Sequence, residues 1–335
     1  MAHDNWFEKY QDLLDRYIRE RDETTLYKGQ ILSRYMLEQS VSPDEVISLH
    51  IDVLNKLFPE IDARLRASFE FLLEVMIGYG FAYREHQSLR DKQQQLDSEL
   101  EIAANVQKSL FIEELPNYDY LDIGVISKPA RKMSGDYYHF VKDDEDRLSV
   151  AIADIIGKGI PAAMSMSMIK YSMDSLSHQL SKPSAVLESL NRVVEQNVDP
   201  SMFITMYYGL YDPETHLFTY SSAGHEPGFL YNSKTKQFEE LVSKGRVLGL
   251  SRGTVYQEYE VMINPGDAII LFSDGVTECR AKDRFIEREE VAAIISRYLD
   301  QPAADSVQLV YKELERLQDF RLRDDFTLVI MKRQV

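Results

Sequence analysis

The sequence predicts an α+β protein in three parts: a helical segment over residues 1–83, a helical linker over 84–120, and a layered strand-and-helix segment over 121–335. Three observations predict this. Apolar residues recur at helical spacing through the first eighty residues. A polar stretch without Gly or Pro follows, from Arg84 to Glu113. From Leu121 onward, short apolar runs end in turn residues, and the helical patterns come in blocks. That arrangement favours α+β layers over a βαβ parallel sheet.

The first helix is read from Trp6, Tyr10, Leu13, Leu14, Tyr17 and Ile18, and the second from Leu26, Ile31, Leu32, Tyr35 and Met36. Ser42-Pro43-Asp44-Glu45 starts the third. Ser42 can cap, Pro43 suits the first turn, and Glu45 completes a capping box. Val46, Leu49, Val53, Leu54 and Leu57 carry that helix towards Pro59, and Ile61, Leu65, Phe69, Leu72, Leu73, Met76 and Ile77 form the fourth. Short connections suggest an antiparallel four-helix bundle, and a core of eighty residues is small enough that dimerisation would supplement it. In the linker, Leu89, Leu96, Leu100, Ala103 and Leu110 fall on a 3-4 repeat with Gln93 and Gln107 at seam positions. Two readings stand: a solvated helix, or a short parallel coiled coil weakened by its polar seam residues. Beyond it, strands are expected at 148–153, 203–208, 218–220, 268–272 and 326–331. Helices are expected at 161–178, 184–197, 288–299 and 303–318.

Composition excludes several functions. With 38 Lys+Arg against 55 Asp+Glu the net charge is −17, which opposes a broad nucleic-acid or anionic-membrane surface. A single cysteine excludes a disulfide framework and a Cys-rich zinc site, and fits a reducing cytosol. The N-terminus shows no basic and apolar signal pattern, and Phe69–Tyr83, the most apolar stretch, is too short to span a bilayer. A soluble cytoplasmic protein is the expectation.

Four aspartate positions stand at strand ends or in glycine-containing turns: Asp136 in Ser-Gly-Asp, Asp154 in Asp-Ile-Ile-Gly-Lys-Gly, Asp274 in Ser-Asp-Gly, and the pair Asp324-Asp325. Taken singly, each could be an ordinary turn or helix-cap residue. Together, carboxylates at strand ends can converge, and convergent carboxylates repel one another unless a cation neutralises them. Oxygen-only ligation favours Mg²⁺ or Mn²⁺ over zinc. Cys279-x₄-Arg284 is one residue short of a tyrosine-phosphatase loop, so Cys279 is expected to be structural. Met164, Met166, Met168, Ile169 and Met173 read as core-filling residues of one helix, or as a pliable helix that could shift and position Asp154.

The ordered set Ser-Gly-Asp136, Asp154-x-x-Gly-Lys-Gly159, Ala223-Gly-His225, Ser-Asp274-Gly and Asp324-Asp-x-Thr327 resembles the SpoIIE-like branch of the PPM metal-dependent serine/threonine phosphatases. The resemblance covers about 121–335. It implies an αββα sandwich and a site for two Mn²⁺ or Mg²⁺ ions. Asp154 would bridge the ions with help from the Ile155 carbonyl, Asp274 and Asp324 would hold the first, Asp136 would serve the second, and Asp325 would contribute beside Asp324. Gly157, Lys158 and Gly159 would border the substrate, and His225 would organise the site or serve as a hydrogen-bonded turn residue. Lys158 stands where many relatives have His, and the arginine motif with which eukaryotic relatives hold phosphate is absent.

The implied reaction is hydrolysis of a phosphoserine by a water activated between two ions, without a covalent intermediate. Carried over with the helical segments, the resemblance implies three further points. The substrate would be a small phosphorylated anti-anti-sigma factor that controls a stress-response sigma factor. A kinase-like activator would dock on the N-terminal domain and linker. The chain would form a homodimer. Two other readings stand beside it: a non-catalytic dimeric interaction module with a structural metal site, and, less supported, a metal-dependent phosphodiesterase.

Overall fold

The computed structural model describes residues 2–110, 115–143, 146–157, 159–176, 182–199, 202–281 and 284–334. The chain divides into two compact units, Met1–Ser98 and Glu99–Val335.

The first unit holds α1 (Ala2–Glu20), α2 (Glu23–Glu38), α3 (Pro43–Leu57) and the first part of α4 (Ala63–Leu110). The expected capping box is present: the Glu45 carboxylate accepts the Ser42 backbone N–H at 2.7 Å, with Pro43 in the first turn. Tyr10 hydrogen-bonds His50 at 2.9 Å, and Lys56 lies over the Phe7 ring, so α1 and α3 run antiparallel. His50 meets the Phe69 ring and Asp44 pairs with Arg84, so α3 and α4 do too. Helix α4 is one continuous helix of 48 residues. The polar stretch expected as a helical linker is, as far as Leu110, continuous with the fourth helix. Nothing from Arg84 onward breaks it, and Gly78 and Gly80 are each tolerated at a modest helix cost.

The second unit holds two five-stranded sheets, and every paired strand in them is antiparallel. One sheet has the order β1-β12-β9-β6-β7 (Leu121–Lys128, Phe326–Arg333, Ala268–Phe272, Gly228–Asn232, Gln237–Leu241). The other is β2-β3-β4-β5-β8 (Asp136–Lys142, Leu148–Ile155, Ile204–Tyr211, Leu217–Ala223, Tyr259–Met262). A two-stranded ribbon pairs β10 (Arg280–Ala281) with β11 (Arg284–Phe285). The helices are α5 (Ile160–Leu176), α6 (Pro183–Asn197), the short α7 (Asp274–Thr277), α8 (Arg288–Ser296) and α9 (Ala303–Leu317).

The central strands are mostly apolar and buried because both of their faces are covered, and β9 is apolar at every position. Along β9, Ile269 and Leu271 enter a core shared with Val150, Ile152, Tyr207 and Tyr211 of the other sheet. The alternate residues Ala268, Ile270 and Phe272 pack with Val291, Ile295, Val307, Val310 and Leu314 of α8 and α9. Strand β3 does the same on its side: Val150 and Ile152 face the shared core, and Ala151, Ala153 and Ile155 face α5 and α6. Met166 and Met173 are buried in that outer core with Ile169, and Met168 is partly buried. Met164 is exposed. The core-filler reading thus fits Met166 and Met173 and not Met164.

Candidate metal centre

Sheet register decides where the aspartates go. Asp136 opens β2 and stands directly opposite Asp154 near the end of β3. In the other sheet, β9 pairs with β12 so that Phe272 faces Leu328, and the Ser273 N–H donates to Thr327 O at 3.0 Å. That register places Asp274, just after β9, beside Asp324 and Asp325, just before β12. Asp325 then joins the two sheets. Its Oδ1 accepts the Ala130 N–H at 2.7 Å and its Oδ2 the Gly135 N–H at 2.5 Å, both on the segment that leads into β2. A β-carbon on Gly135 would lie 3.1 Å from Ile155 O, 3.3 Å from Asp154 Oδ1 and 3.5 Å from Asp325 Oδ2, so three oxygens turn towards one point.

Electrostatics records the same gathering. Burial holds the Asp136 carboxyl well above the usual carboxylate range, and the charges of Asp154 and Asp325 push the same way. The Ser273 and Thr327 hydroxyls are within reach of that carboxyl and oppose the shift. Asp136 is 1% exposed, and its Oδ2 has no hydrogen-bond partner among the described residues. Asp274 is pushed up to about 7 by burial and then by Asp154, Asp324, Glu278 and Glu226. Among the described residues, no three carboxylate, imidazole or thiolate side chains stand close enough to hold one ion as they are. The carboxylates are gathered and mutually repelled. The orphaned Asp136 oxygen and the all-oxygen donor set fit a hard divalent cation.

Gly157 and Gly159 carry φ of 131° and 77°, in the left-handed half of backbone space that favours glycine. They turn the chain from β3 into α5. Lys158 lies outside the described residues. His225 is 8% exposed, and burial lowers it to about 4, so it is neutral through the physiological range. Its Nε2 is 3.2 Å from Phe272 O, and a carbonyl only accepts, so the proton sits on Nε2. Nδ1 then accepts from the Thr205 hydroxyl at 2.8 Å. Thr205 faces Asp154 across the β3–β4 ladder, and Phe272 is two residues before Asp274. His225 therefore ties β4, the neighbour of the Asp154 strand, to the end of β9, which leads to Asp274. His225→Ala is expected to cost about 2 kcal/mol in urea unfolding, because it strands both partners.

Cys279 is buried, accepts a hydrogen bond from Gln318 Nε2 at 2.9 Å, and is pushed up to about 12 by burial. It is a protonated core thiol, and thiolate chemistry has no place here. Sequence reasoning missed Glu226 and Glu278, which face Asp274, and Thr205, and it held Ser273 and Thr327 only as motif residues without a role. Glu226 directly follows His225, and Glu278 lies four residues after Asp274, one helical turn on. That spacing was the available signal.

Residues 144–334 match the Stage II sporulation protein E (SpoIIE) family, and residues 8–82 match the N-terminal domain of phosphoserine phosphatase RsbU. The chain is 53% identical over 328 residues to phosphoserine phosphatase RsbU of Bacillus subtilis strain 168, covering 98% of each chain. The RsbU and RsbW domains of Rv1364c from Mycobacterium tuberculosis superpose with a TM-score of 0.56 at 25% identity, over 64% of this chain and 62% of that one. The SiaA-PP2C domain of Pseudomonas aeruginosa shares the fold, with a TM-score of 0.61 at 17% identity, over 72% of this chain and 98% of that one. No described helix is long and apolar enough to cross a membrane. Matched in both parts, and along nearly its whole length by one relative, the chain belongs to the RsbU family of phosphoserine phosphatases, built on a SpoIIE-type protein serine/threonine phosphatase domain of the PPM class.

Proposed function

We propose that this phosphatase depends on two divalent ions, Mn²⁺ or Mg²⁺, and removes phosphate from a phosphoserine of a small RsbV-like anti-anti-sigma factor, thereby activating a stress-response sigma factor. The observation that carries the reading is electrostatic: Asp154 raises both Asp136 and Asp274, Asp324 raises Asp274, and burial adds to both, so carboxylates from the two sheets oppose one another's ionisation without a cation. The three cores, outer helices on each sheet and a shared core between, support the αββα sandwich that the family implies.

Asp154 would bridge the ions with the Ile155 carbonyl beside it. Asp274 and Asp324 would hold the first, and Asp136 would serve the second. Two ions bound there would supply an activated water for in-line attack on phosphorus and would neutralise charge on the phosphoryl oxygens. The chain's own contribution is placement. Asp325, offered by the sequence as a further ligand, has both oxygens engaged by backbone N–H groups and acts first as a brace. His225 links β4, next to the Asp154 strand, to the end of β9 before Asp274, and Gly157 and Gly159 allow a backbone turn beside Asp154. Lys158 is proposed to border the substrate on the sequence pattern alone.

The test is phosphate release from a phosphoserine protein by the full chain, with Mn²⁺ and with a chelator. Release that requires Mn²⁺ is expected. Equal release under both conditions would contradict the metal-dependent reading.

We propose further that the N-terminal unit mediates homodimerisation and, with the linker, receives an RsbT-like activator. Phe71, Val75 and Tyr79 form a stripe along α4 at 74%, 47% and 68% exposure, a large apolar surface for a single chain. Sedimentation should give a dimer for the wild type and a monomer for Phe71→Glu/Tyr79→Glu. A monomeric wild type would remove the dimer. An activator would act by its differential affinity for two states of the chain.

A further inference from the structure

The sequence allows Gln107 on a solvated helix or on the polar seam of a coiled coil, and the structure gives it a partner of another kind. It lies on the last turns of α4, within the catalytic unit, and is 3% exposed. Its Oε1 accepts the Ser134 N–H at 3.0 Å, and its Nε2 donates to Ser134 O at 2.7 Å. A peptide N–H can only donate and its carbonyl can only accept, so the amide orientation is dictated by the backbone it grips. Nε2 also lies 3.6 Å from Met166 Sδ on α5. A buried glutamine that uses both ends of its amide on one residue works as a local substitute for a strand partner.

Ser134 is the residue on which the acidic site turns. Its hydroxyl accepts the Asp136 N–H at 3.1 Å. The next residue, Gly135, donates its N–H to Asp325 Oδ2 and accepts the Ile155 N–H at 3.1 Å. One tripeptide thus sets the carboxyl of Asp136, the brace of Asp325 and the chain beside Asp154. We propose that Gln107 is a positioning residue for the metal centre: its amide clamps the Ser134–Asp136 segment and so fixes the spacing of the carboxylates. This rests on the metal-dependent reading above and adds to it a residue outside the phosphatase motifs, on the helix that arrives from the N-terminal unit.

The test uses the full chain. Gln107→Met keeps the length and apolar volume of the side chain and removes both hydrogen-bonding groups. Lys108→Met, at an exposed neighbour, is the control. In the metal-free protein, amide hydrogen exchange at Gly135 and Ile155 should rise about tenfold in Gln107→Met and stay unchanged in the control. The Kd for Mn²⁺, read by calorimetry, should rise about tenfold, while kcat at saturating Mn²⁺ stays within about twofold of wild type. Gln107→Glu keeps the acceptor for Ser134 N–H but turns an oxygen towards Ser134 O, so it should behave like Gln107→Met. A lower melting temperature with unchanged exchange at those two amides and unchanged Mn²⁺ affinity would overturn the proposal, since it would leave Gln107 a packing residue only. If the wild type bound no Mn²⁺, the metal-dependent reading would fail on its own. The exchange at Gly135 and Ile155 would still decide the clamp, with a tenfold rise supporting it and no rise overturning it.

Discussion

Asp274→Asn is expected to lower Mn²⁺-dependent phosphate release by about a thousandfold, because it removes a charged oxygen from the proposed first-ion position. The same change should make the metal-free protein more stable at alkaline pH. Asp274 is pushed up to about 7 in the folded chain, against an ordinary 3.8, by burial and four neighbouring carboxylates. Between those values the folded state holds a proton that the unfolded state has released. The metal-free wild type is therefore favoured most below about pH 4 and loses stability as pH rises through about 7. Asp136, also raised by burial, acts in the same direction. Asp274 is only half-buried, so after solvent screening its part is about 1–2 kcal/mol. Melting curves in chelator should show wild type falling from pH 5 to pH 8, with a shallower fall for Asp274→Asn. Mn²⁺ should reverse the wild-type fall and act weakly on the variant. A variant with wild-type turnover would remove Asp274 from the site. A metal-free wild type indifferent to pH would remove the repulsion.

The second large effect belongs to Asp325. Asp325→Ala leaves the Ala130 and Gly135 N–H groups without their carboxylate acceptor and opens the junction between the two sheets. Two charge-assisted bonds lost in a partly buried setting should cost about 2–4 kcal/mol, or roughly 5–15 °C in melting temperature for a unit of this size. Metal-free melts isolate this cost from ion binding. Asp325→Asn keeps one acceptor and should recover part of the loss. A melting temperature for Asp325→Ala within about 2 °C of wild type would show that the brace carries no load.

Much of the site was legible because its chemistry is local in sequence. Ser-Gly-Asp136, Asp154-x-x-Gly, Ser-Asp274-Gly and Asp324-Asp325 each sit where an apolar strand ends, and strand ends are visible in a sequence. Which of them stand together depends on register: Asp136 faces Asp154 only through the β2–β3 ladder, and Asp274 stands beside Asp324 only through β9–β12. The strand runs 148–153, 268–272 and 326–331 were plain for a related reason, being buried on both faces and apolar but for Ser149 and Thr327. Strands β7 and β8 carry exposed polar residues at sheet edges and gave no such signal. The role of Asp325 was hidden because a brace and a ligand look alike in sequence. The Ala223-Gly-His225 motif allows either a site organiser or a turn histidine, and which strands His225 joins depends on Thr205 and Phe272, 20 and 47 residues away. Gln107 misled for the same reason. Heptad spacing placed it on a seam, and only the folded chain reveals Ser134, 27 residues on, as its partner.

Mn²⁺ titration of the metal-free full chain by calorimetry near pH 7.5 tests most directly the claim that two sheets assemble one ion-binding centre from separated carboxylates. About two ions per chain are expected, with proton release on binding as the raised carboxyls ionise, and at least one ion is expected to be lost in Asp274→Asn. Absence of binding, or the same stoichiometry and affinity in wild type and Asp274→Asn, would contradict it.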